Sequence, residues 1–139
     1  MKLQSKSEAE TINIGRRIGE RLERGDVVCL YGELGAGKTT MVKGIASALG
    51  ISERDVTSAS FTIIVEYDTE IPFYHIDLYR IPSGEASEIG LHEYLGTDGI
   101  AVIEWAERAE GELPDEKIIV ELNYSEESSR EIEIKGIEL

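Results

Sequence analysis

The sequence predicts an α/β fold, and three observations lead to that prediction. Residues 27–31 form an apolar run of buried-strand length, and apolar residues recur at helical spacing from residue 41 onward. Residues 100–103 form a second uninterrupted apolar run, as a strand buried on both faces requires. Period-two patterns within residues 61–79 and 117–137 indicate two hairpins. Buried strands, helices and hairpins together are typical of an α/β domain whose sheet is covered by helices.

The first 25 residues are expected to form an edge strand and then a helix. Residues 1–6 suit a short strand, and the sequence SEAE at residues 7–10 is a capping box that opens a helix. Gly25 suits the position just after the end of that helix. The predicted apolar face of the helix consists of Ile12, Gly15, Ile18 and Leu22.

The sequence GELGAGKT, residues 32–39, fits the pattern of glycine, four residues, glycine, lysine and serine or threonine that binds nucleotide phosphates. Because glycine lacks a Cβ atom, the three glycines can turn successive N–H groups toward one anion at the start of the following helix. The Lys38 ammonium would contact the β- and γ-phosphates, and the Thr39 hydroxyl would bind the bridging Mg²⁺. The alternative is a glycine-rich turn with only a structural role.

Five further pieces are predicted in the rest of the chain. The helix after the loop ends at Gly50, and residues 52–60 are polar without a period, which indicates an exposed connection. Residues 61–79 form a hairpin through Pro72, and residues 83–95 form one or two short helices. A closing hairpin then follows residue 117.

Composition limits the possible partners. Twenty-eight acidic and fourteen basic residues give a formal charge of −14, which repels nucleic-acid backbones and anionic membranes. Direct nucleic-acid binding by this chain alone is therefore not expected. The single cysteine, Cys29, is interpreted as a core thiol rather than half of a disulfide. No apolar run approaches the roughly 18 residues that span a bilayer, and no signal-peptide core is present. One domain over residues 1–139, located in the cytoplasm, is expected.

Two carboxylates compete for the role of an acid that holds Mg²⁺ or orients the attacking water. Glu104 follows four apolar residues, so it would emerge at the end of a buried strand, where ligands bind in open α/β sheets. A solvated strand-end acid is its structural alternative. Asp77 lies within an otherwise apolar strand, where an acid is costly unless it is paired, and pairing with Arg80 is its structural alternative.

The order and spacing of these features resemble the TsaE (YjeE) family, the small P-loop ATPases of bacterial tRNA threonylcarbamoyladenosine biosynthesis. Beyond the phosphate loop and Thr40, the matching blocks are SASFT at 58–62, EY at 66–67, HIDLYR at 75–80, EIGL at 88–91 and IEW at 103–105. The resemblance implies a P-loop NTPase-like sandwich whose central sheet mixes parallel and antiparallel strands and is flanked by helices.

The resemblance also implies roles for individual residues. Thr39 and Glu104 would be the Mg²⁺ ligands, and Asp77 would act near the γ-phosphate. Asp77, Glu104 and Lys38 are thus the expected catalytic residues, and residues 58–62 would be a switch-like loop. The residues expected to contact ATP are Ser7, Ala9, Gly32, Leu34, Gly35, Ala36, Gly37, Lys38, Thr39, Thr40, Trp105, Glu107 and Arg130.

This sequence departs from the family pattern at three positions. Ala59 replaces the usual proline, Ser60 the usual threonine, and Ala106 a frequent proline after the tryptophan. Without proline at position 59 the loop backbone is freer, so its ordering costs more entropy.

The resulting hypothesis is an ATPase that drives a tRNA-modifying assembly together with TsaB and TsaD homologues. These partners would bind the tRNA, and hydrolysis by the isolated chain would be slow. The alternative is a small-molecule kinase, although such kinases usually carry an arginine-bearing lid and residues 84–99 contain neither arginine nor lysine. A GTP switch is less favoured because the chain has no Asn-Lys-x-Asp guanine motif. A purely structural adaptor would not need Lys38, Thr39 and Glu104 together.

Overall fold

A computed structural model of the protein describes residues 1–33, 35–57, 59, 63–126 and 129–139, and one sheet organises these ranges. The strands are β1 (Lys2–Ser5), β2 (Val27–Tyr31), β3 (Ile64–Tyr67), β4 (Phe73–Asp77), β5 (Ile100–Glu104), β6 (Ile118–Glu126) and β7 (Ser129–Lys135). The α-helices are α1 (Glu8–Gly19) and α2 (Lys38–Ala48). Short 3-10 segments are Glu53–Asp55, Ala86–Ile89, Leu91–Glu93 and Ala106–Glu112.

The sheet mixes the two strand directions, as expected. Its order is β1-β7-β6-β2-β5-β4-β3. The four inner strands β6, β2, β5 and β4 run parallel to one another. Antiparallel pairs β1–β7, β6–β7 and β3–β4 complete the sheet at its two sides. The two predicted hairpins and the N-terminal edge strand are confirmed, because β3–β4, β6–β7 and β1 occupy those places.

Strand β2 shows why a continuous apolar run was required. Val28 and Leu30 pack beneath α1 and α2, whereas Val27 and Cys29 pack beneath the 3-10 segments on the opposite face. Neighbouring side chains of a strand point to opposite faces, so every side chain is buried in a strand that is covered on both sides. Burial raises the pKa of the Cys29 thiol to about 12, in keeping with a core cysteine. The expected short helices of residues 83–95 are 3-10 turns that lie on this second face.

Helices α1 and α2 pack so closely that only glycine fits at their points of contact. A Cβ atom on Gly44 would lie 2.1 Å from the carbonyl oxygen of Ile12. A Cβ atom on Gly15 would lie 2.5 Å from the carbonyl oxygen of Met41. Both obstacles are backbone atoms held in helices, which cannot move aside independently. This contact therefore fixes α1 against the helix that begins at the phosphate loop.

Two details of α1 differ from the sequence-based description. Gly15, Ile18 and Leu22 of the predicted face are buried, but Ile12 is only half-buried, and Thr11, Ile14 and Gly19 are buried as well. The helix ends at Gly19, and Gly25 instead donates its N–H to the Gly99 carbonyl, at 2.9 Å, in the turn before β2. Glycine and threonine carry little apolar signal, so hydrophobic periodicity does not reveal the burial of Thr11 and Gly19.

The first turn of α1 is capped much as the sequence predicts. Ser7 is the N-cap residue, and its hydroxyl accepts the backbone N–H of Glu10 at 3.1 Å. The Glu10 carboxylate accepts the backbone N–H of Lys6 rather than that of Ser7. Neither helix among the described residues has the length and apolar character that crossing a bilayer requires.

The contact between α1 and α2 predicts the effect of a single methyl group. Gly44→Ala should lower the free energy of unfolding by about 1–3 kcal/mol, because overpacking a closed interface forces backbone shifts. This steric cost exceeds the gain of about 1 kcal/mol that alanine brings to an ordinary helix position. Urea unfolding followed by circular dichroism measures the difference. Gly111→Ala is the matched control, since nothing lies within 4 Å of the added methyl. Equal stability of the two variants would contradict the close approach.

Candidate functional site

The phosphate loop lies between the end of β2 and the start of α2. Gly35 and Gly37 have φ angles of +80° and +101°, a region that favours glycine. Gly37 is the N-cap of α2, and it has no side chain to accept the first N–H groups of the helix. These groups and the helix dipole therefore suit an anion. Leu34, also expected to contact nucleotide, lies outside the described residues.

Lys38 is buried in this loop, with 5 % of its surface exposed. Its ammonium donates hydrogen bonds to the carbonyl oxygens of Gly32 and Glu33, the latter at 2.9 Å. The same nitrogen lies 4.2 Å from the centre of the Trp105 ring, within the range of a cation–π interaction. Burial lowers the pKa of Lys38, and surrounding carboxylates oppose this effect. Those carboxylates belong to Glu104, Glu107, Asp77 and Glu33.

The two competing carboxylates lie side by side. Asp77 ends β4 and Glu104 ends β5, and the parallel register pairs them directly. Each is 3 % exposed, so Glu104 is not a solvated strand-end acid. Asp77 Oδ1 accepts the backbone N–H of Tyr79 at 2.9 Å. Because β2 is the other parallel neighbour of β5, both acids lie at the sheet edge from which the phosphate loop departs.

Glu104 is held from two sides. The Thr39 hydroxyl of α2 donates toward its two carboxylate oxygens, at 3.2 and 3.3 Å. From β4, the His75 ring nitrogen Nε2 lies 2.5 Å from Glu104 Oε2. The sequence analysis missed His75, although its position two residues before Asp77 in one strand places both side chains on the same face of the sheet.

A hydroxyl and a carboxylate in contact suit Mg²⁺, which prefers oxygen ligands. Within the described part of the chain, no group of three or more His, Cys, Asp or Glu side chains could hold a metal alone. Mg²⁺ is usually bound by one or two carboxylates together with substrate phosphates and water, not by an all-protein cage. Thr39 and Glu104 fit that partial set of ligands.

A cavity of about 410 Å³ continues from the phosphate loop toward the N-terminal turn of α1. It is lined by Lys6, Ser7, Glu8, Thr11, Gly35, Gly37, Thr40 and Arg130. The structure thus brings together three separate parts of the chain that the sequence analysis linked to the nucleotide. Ala9 instead lines a different groove, between β1 and α1.

The hairpin β6–β7 contacts the phosphate loop directly. Arg130 Nε donates to the Ala36 carbonyl at 3.0 Å, and the Tyr124 hydroxyl donates to the Gly35 carbonyl. The Arg130 guanidinium also lies 3.9 Å from the centre of the Tyr124 ring. Tyr124 was not among the expected site residues, and no sequence motif marks it. These two bonds engage carbonyl groups of the loop.

The remaining expected residues lie around Trp105. This residue has a left-handed backbone, with φ of +58°, directly after Glu104, and its ring lies 5.1 Å from that of Tyr79. Glu107 is exposed on the 3-10 segment that follows. Of the expected switch-like loop, Ala59 is buried, and residues 58 and 60–62 lie outside the described residues.

Comparison with known proteins identifies a matching family and similar sequences. A family model described as "Threonylcarbamoyl adenosine biosynthesis protein TsaE" matches residues 5–132. The tRNA threonylcarbamoyladenosine biosynthesis protein TsaE of Treponema pallidum is 41 % identical over 135 residues, covering 96 % of this chain and 99 % of the relative. The protein of the same name in Bacillus subtilis is 41 % identical over 129 residues, covering 92 % of this chain and 80 % of the relative.

A solved structure agrees in fold. The crystal structure of Bacillus subtilis YdiB superposes with a TM-score of 0.79 at 38 % sequence identity. The superposition covers 95 % of this chain and 82 % of that one. The mixed sheet with flanking helices is therefore shared between the two proteins.

The contact between Lys38 and Trp105 makes the site observable. Trp105 is the single tryptophan of the chain, so its fluorescence reports on this place alone. Phosphate that draws the Lys38 ammonium away from the ring should change the emission, because a nearby cation perturbs the indole. Titration with ATP and Mg²⁺ should therefore give a saturable fluorescence change. A flat titration, under conditions where calorimetry detects binding, would place the nucleotide away from Trp105.

Proposed function

The chain belongs to the TsaE family of threonylcarbamoyl adenosine biosynthesis proteins, and on that basis we propose that it is a Mg²⁺-dependent ATPase of tRNA threonylcarbamoyladenosine formation. Its hydrolysis of ATP drives a multiprotein assembly that includes TsaB and TsaD homologues. It acts as one domain in the cytoplasm, and hydrolysis is slow until the partners are bound.

The contact between Thr39 and Glu104 is the observation that supports this proposal most directly. A glycine-rich turn with a purely structural role has no need of a buried carboxylate 3.2 Å from the first hydroxyl of the helix. A buried carboxylate is costly unless it is paired, so its place against the phosphate loop requires a reason. Binding the metal ion of a nucleotide supplies that reason.

Each residue of the site has a distinct task in hydrolysis. The loop N–H groups and the Lys38 ammonium bind the phosphate oxygens. Thr39 and Glu104 hold Mg²⁺, which neutralises phosphate charge when it is bound. Asp77 accepts a hydrogen bond from water and orients its oxygen toward the γ-phosphorus. As that oxygen bonds to phosphorus, the bond from phosphorus to the β–γ bridging oxygen breaks, and the water passes one proton to a phosphate oxygen, giving ADP and inorganic phosphate.

The adenosine end of ATP occupies the cavity between the phosphate loop and α1. Ser7, Thr40 and Arg130 are among the residues that line it. Because the contact between α1 and α2 fixes Ser7 relative to Thr40, the two helix starts that line this cavity are held at a set distance. Nucleotide bound there contacts the first turns of both helices.

The charge of the chain explains why partners are needed for tRNA. At −14 its surface repels an RNA backbone, so the basic contacts come from the partner proteins. The small-molecule kinase alternative gains no support from residues 84–99. That segment carries no arginine, and its Ala86 and Leu91 are fully buried against the sheet, unlike the side chains of a closing lid.

Removal of the Lys38 charge tests nucleotide binding. Lys38→Ala should weaken ATP binding by roughly 10- to 100-fold, since charge-assisted hydrogen bonds contribute about 1.5–3 kcal/mol. Isothermal titration calorimetry with Mg²⁺ measures the affinity. Lys43→Ala, which removes a half-buried lysine later in α2, is the matched control and should bind like the wild type. Unchanged affinity in Lys38→Ala would remove the central claim.

Two isosteric changes separate turnover from binding. Asp77→Asn and Glu104→Gln keep size and remove one negative charge each, so ATP should still bind while turnover falls by on the order of 10²-fold or more. Both ATP hydrolysis and threonylcarbamoyladenosine formation should be measured over repeated cycles with the partners present. Asp68→Asn, at an exposed acid between β3 and β4, should retain wild-type turnover. Full turnover in both site variants, with folding intact by circular dichroism, would refute these two roles.

A further inference from the structure

His75 is the buried polar residue whose place the proposed mechanism does not yet explain. It lies in β4 with none of its surface exposed, and its Nε2 contacts Glu104 Oε2 at 2.5 Å. Its other ring nitrogen, Nδ1, is buried without a hydrogen-bond partner among the described residues. Among the described residues, the ring is therefore hydrogen-bonded through Nε2 only, and that nitrogen contacts a single carboxylate oxygen.

The hydrogen-bond chemistry fixes the direction of this contact. A carboxylate that binds a metal ion is ionised and can only accept hydrogen bonds, so in that state the proton of the contact is carried by His75 Nε2. An apolar side chain of similar volume would fill the same space without burying an unsatisfied nitrogen. The presence of histidine is thus unfavourable for packing alone, and the bond to Glu104 is what it provides.

Without His75, Glu104 would be poorly oriented. Among the described residues, its other side-chain hydrogen bond is with the Thr39 hydroxyl, which lies almost equally far from the two carboxylate oxygens, at 3.2 and 3.3 Å. A contact shared in this way does not select one rotation of the carboxylate. The short bond to His75 involves Oε2 alone and does select one. It reaches Glu104 from the neighbouring strand, whose register with β5 is fixed by the sheet.

We propose that His75 is a positioning residue that holds the Glu104 carboxylate in the orientation required, with Thr39, for Mg²⁺ binding. The inference rests on the proposed nucleotide function and extends it to a residue without a role there. Groups that hydrogen-bond to a metal ligand orient that ligand, and their loss typically reduces metal affinity or activity by about 10- to 100-fold.

Two amide substitutions of different reach test the proposal. His75→Gln places an N–H donor near the position of Nε2, whereas the shorter side chain of His75→Asn cannot reach Glu104. ATP affinity should be measured by calorimetry over a range of Mg²⁺ concentrations and in excess EDTA. His75→Asn should need about 10- to 100-fold more Mg²⁺ for half of the metal-dependent gain in affinity, and His75→Gln should stay within about threefold of wild type. Affinity in EDTA should be the same in all three proteins.

A second comparison asks whether His75 acts through Glu104. In a Glu104→Gln background, His75→Asn should cause no further change in the Mg²⁺ requirement, because the group that it orients has been altered. Should His75→Asn not fold, by circular dichroism, His75→Leu replaces it with the same expectation, since leucine buries no unsatisfied nitrogen.

The outcomes are distinguishable. An unchanged Mg²⁺ requirement in His75→Asn, or equal shifts in the Asn and Gln variants, would show a purely structural role and overturn the inference alone. Additive effects in the double variant would show that His75 does not act through Glu104, which also overturns it. A wild-type protein whose ATP affinity does not depend on Mg²⁺ would overturn the proposed Mg²⁺-dependent function together with the inference.

Discussion

The buried carboxylate of Glu104 is the constraint on which the site depends. A buried carboxylate with 3 % exposure needs hydrogen-bond donors, and the two found among the described residues come from different elements of the fold. Thr39 belongs to the first turn of α2, and His75 belongs to β4. Satisfying Glu104 therefore sets the position of the phosphate-loop helix relative to two strands. A shift of one residue between β4 and β5 would turn one of these side chains to the opposite face and leave the carboxylate unpaired.

The glycine contact between α1 and α2 fixes the position of the N-terminal helix in turn. Helix α2 is fixed by the loop and by Thr39, and α1 is fixed to α2 because Gly44 and Gly15 permit backbone contact. The N-cap Ser7 is consequently held beside Gly37 and Arg130, which are distant in sequence. The wall of a ligand cavity is thus positioned by helix packing, and the residues that decide its geometry do not line it.

Sequence predicted best where local chemistry decides the structure. The continuous apolar runs of β2 and β5 correctly indicate burial on both faces, and the spacing of the loop glycines predicts an anion site before α2. The contact of His75 with Glu104 depends on the register of strands that lie 29 positions apart in sequence, and no local pattern encodes that register. The same holds for Tyr124, which meets Gly35 only because β6 pairs with β2. In α1 the burial of Thr11 and Gly19 was not predicted, since neither residue carries an apolar signal.

The proposed anion site lies in a strongly acidic chain. Its electrostatic potential depends on the charges close to it more than on the net charge of the chain. Exposed charges more than about 8 Å apart are largely screened at physiological ionic strength, so the net charge of −14 acts on large partners more than on a buried phosphate. Within the site, backbone N–H groups, Lys38 and Arg130 supply positive potential. Burial alone would favour a neutral Lys38, and the carboxylates of Glu104 and Asp77 oppose that tendency. The acids of this site therefore help to keep Lys38 charged, as the proposed binding of phosphates requires, and the acidity of the surface disfavours direct contact with nucleic acid.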